Sequence, residues 1–176
     1  MIYLISLIAV ILGVSLDQYT KYLANTNLKD HTIVVIDGIF SLELLPGGNE
    51  GGAWGIFEGH MWFLILVSLV AVAAICIMYK RIPFTSKYIP LRICLVSIVT
   101  GACGNMIDRI AFGTVTDFLK FTFIDFPTFN VADIFASVAT CVLILLLLFY
   151  YKEQDFDVIY NSLKWQPKKK QESNNE

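Results

Sequence analysis

Four uncharged runs set the pattern of this chain: Met1 to Leu16, Met61 to Tyr79, Ile93 to Ile107 and Ile134 to Tyr151. Every charged residue falls outside them. A helix needs about 20 apolar residues to cross a bilayer, and each run reaches that length once its flanks are counted. The predicted spans are about 1–24, 61–79, 91–108 and 131–151. The first run lacks a basic leading segment, and no small-x-small cleavage site follows it. Asp17-Gln18-Tyr19-Thr20-Lys21 comes instead, so it reads as a retained span.

Between the first two spans the period changes. Thr32-Ile33-Val34-Val35-Ile36 is β-branched, Asp37-Gly38 signals a turn, and Ile39 to Leu45 resumes the apolar pattern. Those two runs predict a small antiparallel hairpin, and because isolated hairpins are marginal it is expected to lean on the membrane or the helices. Pro46 to Gly55 is rich in glycine, which allows close backbone approach, and Trp54 suits an interfacial position. The connection from Ala111 to Phe129 carries Phe112, Phe118, Phe121, Phe123, Phe126 and Phe129. So aromatic a loop is expected to lie along the membrane or close over the spans as a lid. The predicted fold is therefore all-α, four transmembrane helices with a small extracytoplasmic β-hairpin and a short aromatic loop.

Composition agrees: 56% of the 176 residues are hydrophobic and 16% charged, too apolar for an ordinary soluble domain. Lys80, Arg81, Lys87 and Arg92 lie between spans two and three, and Lys152, Lys164 and Lys168-Lys169-Lys170 follow span four. By the positive-inside rule both termini and the middle loop are cytoplasmic, and segment 25–60 lies outside. Residues 1–154 read as one membrane domain and 155–176 as a cytoplasmic basic tail that touches anionic lipid or is solvated. A net charge of −2, with no aromatics among the tail lysines, gives no case for nucleic acid. Cys76, Cys94, Cys103 and Cys141 fall inside spans without a Cys-x-x-Cys or a nearby His, so they read as small core residues. Neither a metal nor another cofactor is expected.

The polar residues at the span ends need an explanation. Asp117 and Asp133 stand beside large apolar residues at the outer face, where carboxylates are paired or functional. Two acids in such a setting can share one proton, as aspartic proteases do to activate water. Asp133 has a second reading, because Asn130 suits an N-cap and acids favour helix N-termini. Asp17 and Lys21 are one helical turn apart, either as an ion pair with Lys21 snorkelling to the interface or as support behind a site. Arg109 balances Asp108 or an acidic neighbour, Asn105 lies deeper in its span and wants a partner, and Gly101 and Gly104 permit close helix packing.

These pieces resemble lipoprotein signal peptidase, the bacterial type II signal peptidase family, through Tyr151. Asp17-Gln18-Tyr19-Thr20-Lys21 is similar to the family's first-helix motif, and Asn49-Glu50-Gly51-Gly52-Ala53-Trp54-Gly55 to its Asn-x-Gly-x-Ala-aromatic loop. Gly104-Asn105-Met106-Ile107-Asp108-Arg109 resembles its third-helix motif. Val115-Thr116-Asp117-Phe118 and Phe129-Asn130-Val131-Ala132-Asp133 resemble the two that carry its aspartates. Gly52 departs from the family's usual Ala, and residues from about Asp155 onward find no match.

The resemblance implies a catalytic dyad of Asp117 and Asp133. Asn105, Arg109 and Asn130 would line and order the site, Asn49 and Gly51 would help hold substrate, and Asp17, Lys21, Gly101, Gly104, Asp108 and Ala132 would support the framework. It also implies an enzyme of the bacterial cytoplasmic membrane, acting as a monomer near the outer face. Its substrates would be diacylglyceryl-modified prolipoproteins, cut before the lipidated cysteine. Two other classes compete on the residues alone: a small transporter with a polar path through the spans, and a membrane assembly protein whose aspartates cap helices.

Overall fold

The computed structural model describes residues 1–51, 57 and 59–163. Helix α1 (Ile2–Asn27) leads into strands β1 (Ile33–Ile36) and β2 (Phe40–Leu42). Helix α2 (Met61–Arg81) and a short 3-10 turn (Ser86–Tyr88) precede α3 (Ile89–Phe112). Strand β3 (Leu119–Phe121) follows, then α4 (Val131–Leu145), which continues as one π turn over Leu146–Tyr150, and finally α5 (Glu153–Leu163). Among the described residues four helices are long and apolar enough to cross a membrane. In lipid a helix satisfies its own backbone, so apolar side chains such as Trp62 and Phe149 are left on the outer surface of the bundle.

Helix α3 is the hub. Of its most apolar window 39% is buried, against 6% for α1, none for α2 and 11% for α4. Small residues make this possible, because close approach of helices in lipid depends on them. A Cβ at Gly101 would run into the carbonyl oxygen of Ala132, and one at Gly104 would stand 2.5 Å from Asp17 Oδ2 and 3.0 Å from Ala132 Cβ. Ala132 itself is fully buried. Gly113, in the left-handed region at φ 82°, ends α3 by donating to the Arg109 carbonyl at 3.1 Å.

The sheet is larger than the predicted hairpin. Gly38 turns at φ 69° and β1 pairs antiparallel with β2, Ile33 opposite Leu42 and Val34 opposite Ser41. A third strand comes from the aromatic connection: β3 pairs with β2, Phe40 opposite Phe121 and Leu42 opposite Leu119. The hairpin thus leans first on another strand, which supplies the packing that two strands lack. Phe118 and Leu119 are buried with Ala24 and Leu28, and the rings of Phe121, Phe126 and Phe129 pack against one another edge-on or tilted. Part of the expected lid is therefore a fixed strand with its own core.

At the opposite end of the bundle Arg92 is buried between the rings of Tyr79 and Phe84, at 4.5 and 4.1 Å from their centroids. It donates to the carbonyls of Tyr79 (3.1 Å) and Ile82, satisfying the last turn of α2. The division expected after residue 154 falls inside α5, whose Asp155 meets Lys87 at 2.6 Å and whose Ile159 packs on a core of Tyr79, Tyr88, Leu95 and Tyr151. The cysteines do not all belong to the core: Cys94 is buried and Cys103 half-buried, but Cys76 and Cys141 face outward. A thiol behaves as a small apolar group and is as well placed against lipid as inside.

Candidate active site

The segment bearing Asp117 is fixed by its backbone. Glu43 N–H donates to the Phe118 carbonyl at 3.0 Å and Leu45 N–H to the Asp117 carbonyl at 2.9 Å, while Asn49 and Val115 exchange bonds of 2.8 and 3.0 Å. This ladder extends the β2–β3 pairing to the rim of the bundle and brings Asn49 beside Asp117. Asp133 comes from the other direction, in the first turn of α4. There Asn130 and Asp133 form a capping box: Asn130 Oδ1 accepts from Asp133 N–H at 3.0 Å, and Asp133 Oδ2 accepts from Asn130 N–H at 3.1 Å. The cap reading of these residues holds, and it coexists with a place at the cavity.

Both aspartates line one cavity of about 380 Å³, together with Asn49, Asn105, Arg109 and Val115. The remaining wall is Phe121, Phe126, Pro127, Thr128 and Phe129 on one side, and Ile134, Ser137 and Val138 on the other. Three amides serve the two carboxylates. Asn49 Nδ2 donates to Asp117 Oδ2 at 2.8 Å, Asn130 Nδ2 to Asp117 Oδ1 at 2.6 Å, and Asn105 Nδ2 to Asp133 Oδ1 at 2.7 Å. Each amide is oriented from behind by a donor on its carbonyl oxygen. These donors are Gly51 N–H for Asn49 (3.1 Å), Asp133 N–H for Asn130, and Lys21 Nζ for Asn105 (2.9 Å). Burial pushes the Asp117 carboxyl up to about 6, and the Asp133 charge adds to the rise against the opposing Asn49 and Asn130 bonds.

Behind the cavity lies a buried charged cluster. Lys21 does not snorkel; it is 3% exposed and meets Asp17 at 2.9 Å and Asp108 at 3.0 Å. Asp17 Oδ1 accepts the Ala132 N–H at 2.8 Å, and Asp108 Oδ2 accepts the Thr116 N–H at 3.1 Å. The cluster therefore ties α1 to the start of α4 and α3 to the Asp117 segment. Lys21, not Arg109, is the ion-pair partner of Asp108; Arg109 stands on the cavity wall with a buried Nε that has no hydrogen-bond partner among the described residues.

Sequence reasoning left Gln18 without a role, yet its Nε2 donates to Asp108 Oδ1 at 2.7 Å and to the Gly104 carbonyl at 3.2 Å. Its place one residue after Asp17 was the available signal. Ile134, Ser137 and Val138 were also missed, although the step of four from Asp133 to Ser137 puts them on one helix face. Of the glycine-rich loop, Gly51 is buried, while the expectations for Gly52, Ala53, Trp54 and Gly55 lie outside the described residues.

Residues 8–149 match the model of a family described as Signal peptidase (SPase) II. A lipoprotein signal peptidase of Symbiobacterium thermophilum is 43% identical over 148 residues, which is 82% of this chain and 95% of that protein. One of Clostridium tetani is 40% identical over 155 residues, 86% of this chain and 95% of its own length. A bacterial membrane enzyme solved by the in meso method at 2.3 Å resolution aligns with a TM-score of 0.72 at 29% identity, covering 84% of this chain and 92% of that one. Four membrane-length helices and the small sheet accompany a match that runs from α1 to the π turn of α4, and the chain belongs to the signal peptidase II family.

Proposed function

We propose that this chain removes signal peptides from diacylglyceryl-modified prolipoproteins by cleaving before the lipidated cysteine, with Asp117 and Asp133 as its catalytic dyad. The observation that carries the reading is the convergence of two carboxylates, each held by oriented amides, on one largely apolar cavity. One carboxylate, ionised, takes a proton from water as the water oxygen attacks the scissile carbonyl. The other, protonated, donates a hydrogen bond to that carbonyl as it gains negative charge. The tetrahedral intermediate collapses when the cysteine amine leaves with a proton from the dyad, which returns the pair to one shared proton. Arg109 on the cavity wall adds a fixed positive charge where negative charge develops.

Apolar walls of Phe121, Phe126, Ile134 and Val138 suit a substrate that carries acyl chains. On the charge distribution, both termini are cytoplasmic and the dyad sits near the extracytoplasmic face. Residues 1–154 serve as the peptidase unit, and one copy holds every residue the mechanism uses. The test is cleavage of a diacylglyceryl-modified lipobox peptide by purified protein in detergent. Asp117→Asn and Asp133→Asn are each expected to lower kcat/KM by at least about 10³-fold while remaining folded. Full activity in either variant removes that residue from the dyad.

A further inference from the structure

The two carboxylates are held by different kinds of partner, and the difference begins at Lys21. Resting on the peptidase reading above, we propose that Lys21 is a positioning residue: through the Asn105 amide it settles the dyad's negative charge on Asp133, the general base, and leaves the proton on Asp117.

An ammonium group has three donors and no acceptor. Here they go to Asp17 Oδ2 at 2.9 Å, Asp108 Oδ2 at 3.0 Å and Asn105 Oδ1 at 2.9 Å. With its carbonyl facing a cation, Asn105 must turn its NH₂ toward Asp133, which it meets at 2.7 Å. The cation also draws electron density toward that carbonyl and makes the N–H a stronger donor, so an ionised Asp133 receives a charge-assisted bond relayed by one amide. Lys21 is 3% exposed, and water does little to screen this effect. Asn49, which serves Asp117, takes the neutral Gly51 N–H on its carbonyl oxygen. Asn130 divides its NH₂ between Asp117 Oδ1 at 2.6 Å and Asn105 Oδ1 at 3.0 Å.

The local backbone favours the same assignment. Asp133 stands in the first turn of α4, where free N–H groups and the helix dipole stabilise an anion. Asp117 stands on an extended segment with no helix N-terminus behind it and is 1% exposed. The other charged groups facing the pair do not reverse the order. Asp17 and Asp108 oppose an added negative charge but are both held by Lys21, and Arg109 acts on both members of the dyad from the cavity wall.

The experiment is the pH profile of kcat/KM on the lipidated peptide for Lys21→Met combined with Asp108→Asn. The pair of changes removes the ammonium without altering the cluster's net charge. The acid limb is expected to move up by about one pH unit, because the base loses the interaction that favours its ionised form. A purely structural role would lower the plateau and leave the limb where it is, and that result overturns the proposal. If the double variant does not fold, Asn105→Leu carries the test, since Lys21 keeps both carboxylate partners there; an unmoved limb again overturns it. Wild-type cleavage, lost in Asp133→Asn, is the control. Its absence retires the peptidase reading and this proposal with it, whereas cleavage with unmoved limbs retires the role of Lys21 alone.

Discussion

Asparagine does at this site what a charged residue cannot. An amide presents a donor to a carboxylate without adding a net charge beside it, provided something holds the amide the right way round. Gly51, Asp133 and Lys21 do so for Asn49, Asn130 and Asn105. The proposed dyad is thereby positioned by neutral donors, which leaves the choice of its protonated member to the groups behind them. A stability consequence follows for Asp117, whose carboxyl is raised by burial to about 6 from an ordinary value of 3.8. A raised carboxyl binds its proton more tightly folded than unfolded, so its contribution is complete below the unfolded value and is lost as pH rises through about 6. The wild type should lose on the order of 3 kcal/mol relative to Asp117→Asn across that window. Thermal unfolding in detergent at several pH values measures the difference, and parallel curves for the two proteins would contradict it. At this scale the sequence was most legible where polar residues are scarce, because Asn105, Asp108 and Arg109 stand out at the end of an apolar run. It was least legible at the cavity wall, because Ile134 and Val138 look like any lipid-facing residues of a span.

Among the elements, α3 carries the site because its small residues let α1 and α4 come close. Gly101→Ala is expected to push α4 away at the carbonyl of Ala132, costing about 1–3 kcal/mol and displacing both Asn130 and Asp133. A lower unfolding midpoint together with reduced kcat is the expected outcome, and unchanged values of both would show that the interface yields without effect. The four spans were plain from their hydropathy and length. Strand β3 was not, because Leu119-Lys120-Phe121 is too short to show alternation and sits among phenylalanines that suggest a surface loop. Helix α5 was hidden for another reason. Phe156, Ile159, Tyr160 and Leu163 have helical spacing, but the basic residues that follow drew attention to charge instead of period.

Asp17, Lys21, Asp108 and Asp117 are buried at one end of the bundle and Arg92 and Asp155 at the other, an arrangement that suits a site at one membrane face. On the proposed topology, Val35→Cys in exposed β1 should react with an impermeant maleimide in intact cells, while Ser86→Cys between α2 and α3 should react only after lysis. The reverse pattern would invert the topology and put the dyad on the cytoplasmic side. The backbone ladder that fixes Asp117 has a consequence in time. One half of the proposed dyad is placed by the strands, and the other by the first turn of α4, which is synthesised after them. On the proposed mechanism a copy still being inserted lacks the shared proton, so the ability to cut arrives only when the sheet and α4 have both found their places.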